Sequence, residues 1–198
     1  MGNWKRPLSA VSVAVLAASG FGAQPSSAPG SWGKAITLPA AASAPSAISC
    51  SSPGNCGAVG GLGGSVYVAG QTRGKWGAPK VIPGTARTFK PSSSPGGIAC
   101  FAAGDCVVAG SYLDTAGRTQ AFIASQTHGT WGKLSWVSGL ARLDRGHHAG
   151  LGELSCPSKG NCTAAGSYTN AAGTSLPFVV SQAHGVWGSA ERVPNLTG

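Results

Sequence analysis

Three cysteine pairs recur along the chain at one spacing: Cys50 with Cys56, Cys100 with Cys106, and Cys156 with Cys162. Pairs so close in sequence close small loops of their own, and in an oxidising compartment three local disulfides are the economical arrangement. In the chain-entropy picture each contributes roughly 2 kcal/mol, enough to staple a turn but not to tie distant parts together. A metal site is the alternative, yet no His stands at ligand spacing beside any pair. No metal or cofactor is expected.

Aligned on these pairs, the chain shows a recurring unit. It opens as Ile48-Ser49-Cys50, Ile98-Ala99-Cys100 and Leu154-Ser155-Cys156, with Gly54, Gly104 and Gly160 two residues before the second Cys. A β-prone run follows and ends at Gly60, Gly110 or Gly166. Each unit closes on Gln71 to Trp76-Gly77, Gln126 to Trp131-Gly132, or Gln182 to Trp187-Gly188. Trp32-Gly33 matches that closing portion alone. From first Cys to Trp the spacing is 26, 31 and 31 residues, the first copy being shorter at Leu62-Gly63-Gly64.

Short, partly alternating segments such as Ala121–Ser125 and Pro177–Ser181, separated by Gly-containing turns, read as strands. Four strands per unit are expected: one ending at the first Cys, one beginning at the second, one before the Gln and one beginning at the Trp. With 32 Gly and 13 Pro against only 19 charged residues, a charged helical bundle is excluded. The fold class is therefore all-β, as four-stranded antiparallel repeats forming a β-propeller that is partial or completed by oligomerisation. A β-trefoil is the alternative, although the Gln-x-Trp pattern of trefoil lectins is absent.

These residues resemble a group of secreted bacterial repeat proteins with Cys, a short gap, Cys-x-Ala-Val-Gly and a closing Gly-x-Trp-Gly. The likeness spans roughly residues 31 to 195; it implies propeller-like blades and supplies no activity. A fainter likeness, to the Asp-box turns of sialidase-type propellers, touches Ser111, Asp114, Gly117 and Phe122. Its spacing departs from that motif, so no catalytic residue carries over.

Lys5 and Arg6, an apolar run from Leu8 to Ala18 and a small-residue stretch to Ala23 have the layout of a secretory leader, cleaved after Gly20 or Ala23. The expected division is residues 1–23 as leader, 24–46 as linker with the Trp-Gly strand, and repeats at 47–96, 97–151 and 152–198. The mature protein is expected to be secreted and not to span a membrane. Its formal charge of +9 falls by two when Lys5 and Arg6 leave. The remaining excess favours anionic partners such as acidic glycans or cell-surface polymers. Nucleic acid is not expected, because the cations are spread along the chain rather than gathered in a stripe.

In a four-stranded meander the turns alternate between two ends of the sheet. One end is expected to carry Asp114, Arg118 and Asn170 with the connectors that hold Arg87, Lys90, Arg142, Asp144, Arg145, His147 and His148. The other end carries the disulfide turns with Arg73, Lys75, His128 and His184. Loops on a rigid scaffold commonly carry binding residues, which favours the first end. Trp136 has no aromatic counterpart at Thr37, Val81 or Arg192, and the stretch after it concentrates charge. Trp136, Arg142, Asp144, Arg145, His147, His148, Asp114 and Arg118 are thus the candidate ligand-binding residues, an aromatic platform beside polar groups suiting a sugar. A solvated connector with Trp136 packed on a neighbour is the competing reading. Trp32, Trp76, Trp131 and Trp187 recur in register and are expected between units.

HExxH, GxSxG and GxxxxGK[ST] patterns are absent. His147 with Asp144 is the one plausible base and orienting pair, so an extracellular carbohydrate hydrolase stands as the alternative to a binding or scaffold module.

Overall fold

A computed structural model describes Thr37 and residues 42–85 and 93–194. The leader, Trp32, Arg87 and Lys90 lie outside the described residues. What is described belongs to one unit, Ile36–Gly198, and is built of three antiparallel sheets in chain order.

The first sheet comprises β1 (Ala47–Ser52), β2 (Asn55–Leu62), β3 (Ser65–Thr72), β4 (Lys75–Trp76) and β5 (Lys80–Val81). The second holds β6 (Ser93–Ala102), β7 (Asp105–Leu113), β8 (Thr119–Thr127), β9 (Thr130–Trp131) and β10 (Ser135–Trp136). After a four-residue helix, α1 (Leu140–Leu143), the third holds β11 (Gly150–Ser158), β12 (Asn161–Thr169), β13 (Ser175–Ala183), β14 (Val186–Trp187) and β15 (Glu191–Arg192). Among the described residues no sheet closes into a barrel.

One expectation needs correcting: the fourth strand is not continuous. In the first sheet Gln71 pairs with Trp76, yet four residues further on Tyr67 pairs with Val81, so one extra residue sits between β4 and β5. The same slip separates β9 from β10 and β14 from β15. Gly77, Gly132 and Gly188 still donate N–H to Gly70, Ser125 and Ser181 O, all within 2.9 Å, and the bulge follows. Each sheet is a four-stranded meander with a broken edge strand.

The disulfides join Cys50–Cys56, Cys100–Cys106 and Cys156–Cys162, with Cα atoms 3.9, 4.0 and 4.1 Å apart. The first two pairs stand directly opposite in their hairpins. The far hairpin of each meander turns through two left-handed residues, Arg73-Gly74, His128-Gly129 and His184-Gly185, the primed turn that suits strand twist. These turns are latched to the disulfide hairpins: Gly74, Gly129 and Gly185 N–H donate to Gly54, Gly104 and Gly160 O at 2.8, 2.7 and 2.9 Å. Asn55, Asp105 and Asn161 add a second latch, accepting the N–H of Arg73, His128 and His184.

The sheets stack face to face over two apolar cores. One gathers Val59, Val66, Val68 and Ile82 of the first sheet against Ile98, Val108, Phe122 and Trp131 of the second. The other gathers Val107, Ala109 and Ile123 against Ala164, Tyr168, Phe178 and Val180 of the third, with Trp187 packed alongside. β7 is accordingly buried on both faces for six consecutive residues, whereas β12 and β13 alternate, as a half-covered sheet must. The first strands lie side by side, β6 packing on both β1 and β11. Cys100 N–H donates to Ser49 Oγ at 3.0 Å. At Gly97 a Cβ would stand 3.0 Å from Gly152 O and 3.2 Å from Leu154 N, so only glycine lets the two backbones meet there.

Candidate binding groove

The connectors lie where the meander geometry puts them. Thr119 N–H donates to His147 O and Ala149 N–H to Thr119 O, both at 3.0 Å, and Gly146 N–H donates to Thr169 O at 2.8 Å. The 144–149 segment therefore rides on the turns between second and third strands, at the end opposite the disulfides.

Trp136 ends β10 at the edge of the second sheet, opposite Phe122. Its indole rests on the Tyr112 ring, centroids 5.3 Å apart and tilted by 57°, yet 67 % of the residue stays exposed. It is thus a packed aromatic with an open face, a combination of the two sequence readings. Beneath it runs a groove of about 490 Å³ lined by Pro83, Gly84, Tyr112, Asp114, Thr115, Lys133, Leu134 and Trp136. Pro83-Gly84, the turn closing the first sheet, forms the facing wall. Buried Thr85 holds that wall: its Oγ1 donates to Ile82 O at 2.8 Å and accepts Val66 N–H at 3.2 Å.

At the end of the groove Asp114 organises the β7–β8 turn. Its Oδ1 accepts the N–H of Ala116 at 2.9 Å and of Arg118 at 3.0 Å, and its Oδ2 accepts Arg118 Nε at 2.8 Å. Burial alone would raise the Asp114 pKa; the Arg118 N–H and guanidinium and the Ala116 N–H outweigh it and hold the carboxyl below its ordinary value. Asn170 builds the same turn in the third sheet, accepting Ala172 and Thr174 N–H at 2.9 Å. Asp114 is first a turn former, with Arg118 its ion-pair partner.

Tyr112 Oη is buried and has no hydrogen-bond partner among the described residues. Burial first, and the Asp114 charge second, push its pKa up to about 12 against a smaller opposing effect of Arg118. The phenol stays protonated, its oxygen shut off from the groove beneath the Trp136 ring.

The other candidates do not join this groove. Arg142, on α1, and Arg145, His147 and His148 beyond it are exposed. Asp144 is buried, its Oδ1 accepting His148 N–H at 3.0 Å and Thr169 N–H at 3.1 Å. Among the described residues no hydrogen bond links it to the His147 ring, and its Oδ1 is engaged by two backbone N–H groups instead. Tyr112, Lys133, Leu134, Pro83 and Gly84 were missed from sequence. Tyr112 matches Tyr168 and Leu62 in the repeat and carries no mark of its own, while the Pro83-Gly84 wall comes from the neighbouring sheet.

The chain matches no protein-family model and no curated protein. No helix of the described residues is long and apolar enough to cross a membrane, and the three disulfides are consistent with an extracellular protein.

Proposed function

We propose that the protein is a secreted binding module for anionic glycans, its three sheets acting as propeller-like blades that hold the Trp136 groove rigid. The observation that carries this reading is the open indole face of Trp136 above a groove that also presents Lys133 and Thr115. A flat aromatic face accepts the C–H side of a sugar ring, and an exposed ammonium beside it favours an acidic one. Blades rather than a trefoil are supported by three separate meanders whose first strands flank one cavity of about 380 Å³, between Ala47–Ser49, Gly97–Cys100 and Glu153–Cys156. Hydrolysis is less well supported: among the described residues Asp114 is the one carboxylate lining the groove, and its oxygens are held by Ala116, Arg118 and the Arg118 guanidinium, so a pair of catalytic carboxylates is lacking there.

The test is calorimetric titration of the chain with a soluble polyuronate and a neutral glucan. The polyuronate is expected to bind more tightly, Trp136→Ala to weaken it at least about tenfold, and Lys133→Glu to reduce the preference for the acidic polymer. Binding that is unchanged in Trp136→Ala would remove the groove as the site.

A further inference from the structure

Two recesses lie on the seam between the first and second sheets, and the groove under Trp136 is one of them. The other, of about 280 Å³, lies nearer the disulfides, between Gly70, Gln71, Thr72 and Lys80 of the first sheet and Gln126 and Trp131 of the second. Lys80 faces the second sheet because it stands opposite Val68, whose side chain belongs to the core the two sheets share. Trp136 faces the first sheet for the same reason, standing opposite Phe122 of that core. Between the recesses the edges touch at Gly84, where a Cβ would stand 3.2 Å from Leu134 Cγ. The Lys80 recess and the Trp136 groove therefore follow one another along the seam. Trp131 of the one and Trp136 of the other are five residues apart on the same edge, roughly 15 Å for extended chain.

The seam between the second and third sheets shows the same positions differently filled. Ser125 stands where Gly70 does and Ser135 where Lys80 does, and there the edges are tied by main chain, Ala190 N–H donating to Ser138 O at 2.7 Å. A Cβ on Gly70 would meet nothing within 4 Å, so the recess is open at its floor. It combines an ammonium with hydrogen-bonding neighbours, the Thr72 hydroxyl and the Gln71 amide, a set that suits a carboxylate-bearing sugar. Asp105, next to Gly104 on the recess wall, is turned to His128 N–H. Among the described residues the ion pair is Asp114 with Arg118, and neither Lys80 nor Lys133 is held by a carboxylate.

We propose that the seam is one extended binding track, and that an acidic glycan seated on Trp136 continues past Leu134 into the Lys80 recess. This rests on the reading of the Trp136 groove as a glycan site and adds a second subsite to it. One acidic sugar lies at Lys133 and another, further along the same polymer, at Lys80. Two weak subsites on one rigid wall hold a polymer that spans them more tightly than either does alone, because the second engagement is intramolecular. A short fragment fills one subsite only.

Calorimetric titration of the full chain with a galacturonate disaccharide and a galacturonate hexasaccharide, at one ionic strength, tests this. The hexasaccharide is expected to bind at least about tenfold more tightly than the disaccharide. Lys80→Ala, which removes the ammonium, and Gly70→Leu, which fills the floor, are each expected to erase most of that gain with length. Lys159→Ala, in the exposed disulfide turn of the third sheet, is expected to keep it. Trp136→Ala should weaken both lengths. Lys80 is exposed, so its variant keeps the parent's thermal melt and decides the matter if Gly70→Leu does not. Equal affinity for the two lengths, or a gain that Lys80→Ala leaves intact or Lys159→Ala removes equally, overturns the second subsite and leaves the Trp136 groove standing. Hexasaccharide binding that needs Lys80 but not Trp136 overturns both the groove and the track. A chain that binds neither length overturns both as well.

Discussion

Asp114 and Asp144 show how a carboxylate in a charge-poor chain is used when the backbone around it turns sharply. Each spends one oxygen on two N–H groups that the turn leaves without a strand partner, and an unpaired buried N–H costs about 1–3 kcal/mol. Asp144→Ala is therefore expected to lower unfolding free energy by about 2 kcal/mol in urea titration, with Asp144→Asn keeping most of it. Asp114→Asn should be nearly neutral near pH 7, because Asn170 already makes that turn. The two forms differ in acid. The Asp114 pKa is lowered from 3.8 by folding, so the unfolded chain binds the proton more readily. The stabilisation is fully present above that unfolded value and is lost as pH falls through the lower folded one. Urea midpoints measured downward from pH 5 should thus decline less steeply in Asp114→Asn than in the parent.

At the scale of strands, a glycine inside each second strand, beyond its midpoint, serves packing. Gly60 pairs with Tyr67, Gly110 with Phe122 and Gly166 with Phe178. In the first two pairs the ring covers the glycine: a Cβ on Gly110 would lie 2.9 Å from Phe122 Cε1, and one on Gly60 2.6 Å from Tyr67 Oη. Gly110→Ala is expected to cost about 1–3 kcal/mol through overpacking. Gly70→Ala meets nothing within 4 Å and should stay within about 0.5 kcal/mol of the parent; thermal melts of both variants compare the two directly. The disulfide hairpins, the meander order and the end of the sheet that carries the connectors were legible in the sequence, because cysteine spacing and alternation are local signals. The broken fourth strand was not, since an extra residue after Trp-Gly changes no composition. The latch from Asn55, Asp105 and Asn161 left a readable trace, an Asn or Asp before the second Cys in every copy. The partner N–H groups lie at least 18 residues away, and only the fold reveals them.

Across the whole molecule, stacking decides which groups come together at the candidate groove. Trp136 was singled out for lacking a counterpart, and it does carry an open aromatic face. Its companions Lys133, Tyr112 and Pro83-Gly84 come from a neighbouring strand, the sheet interior and the preceding sheet, which no linear pattern gathers. The charged run after it was drawn instead into holding the connector, through Asp144, and into solvent. Among the described residues the middle sheet meets a neighbouring sheet on both faces and the outer two on one face each, while the edge pieces β9 and β10 pair with β8 on one side alone. Hydrogen–deuterium exchange read by mass spectrometry tests that arrangement most directly. Peptides covering residues 107–113 and 119–127 are expected to exchange at least about 100-fold more slowly than those covering 130–136, with 161–169 and 175–183 between them. Equal protection of β7 and β10, or β7 exchanging faster than β12, would contradict the stacked meanders on which the groove depends.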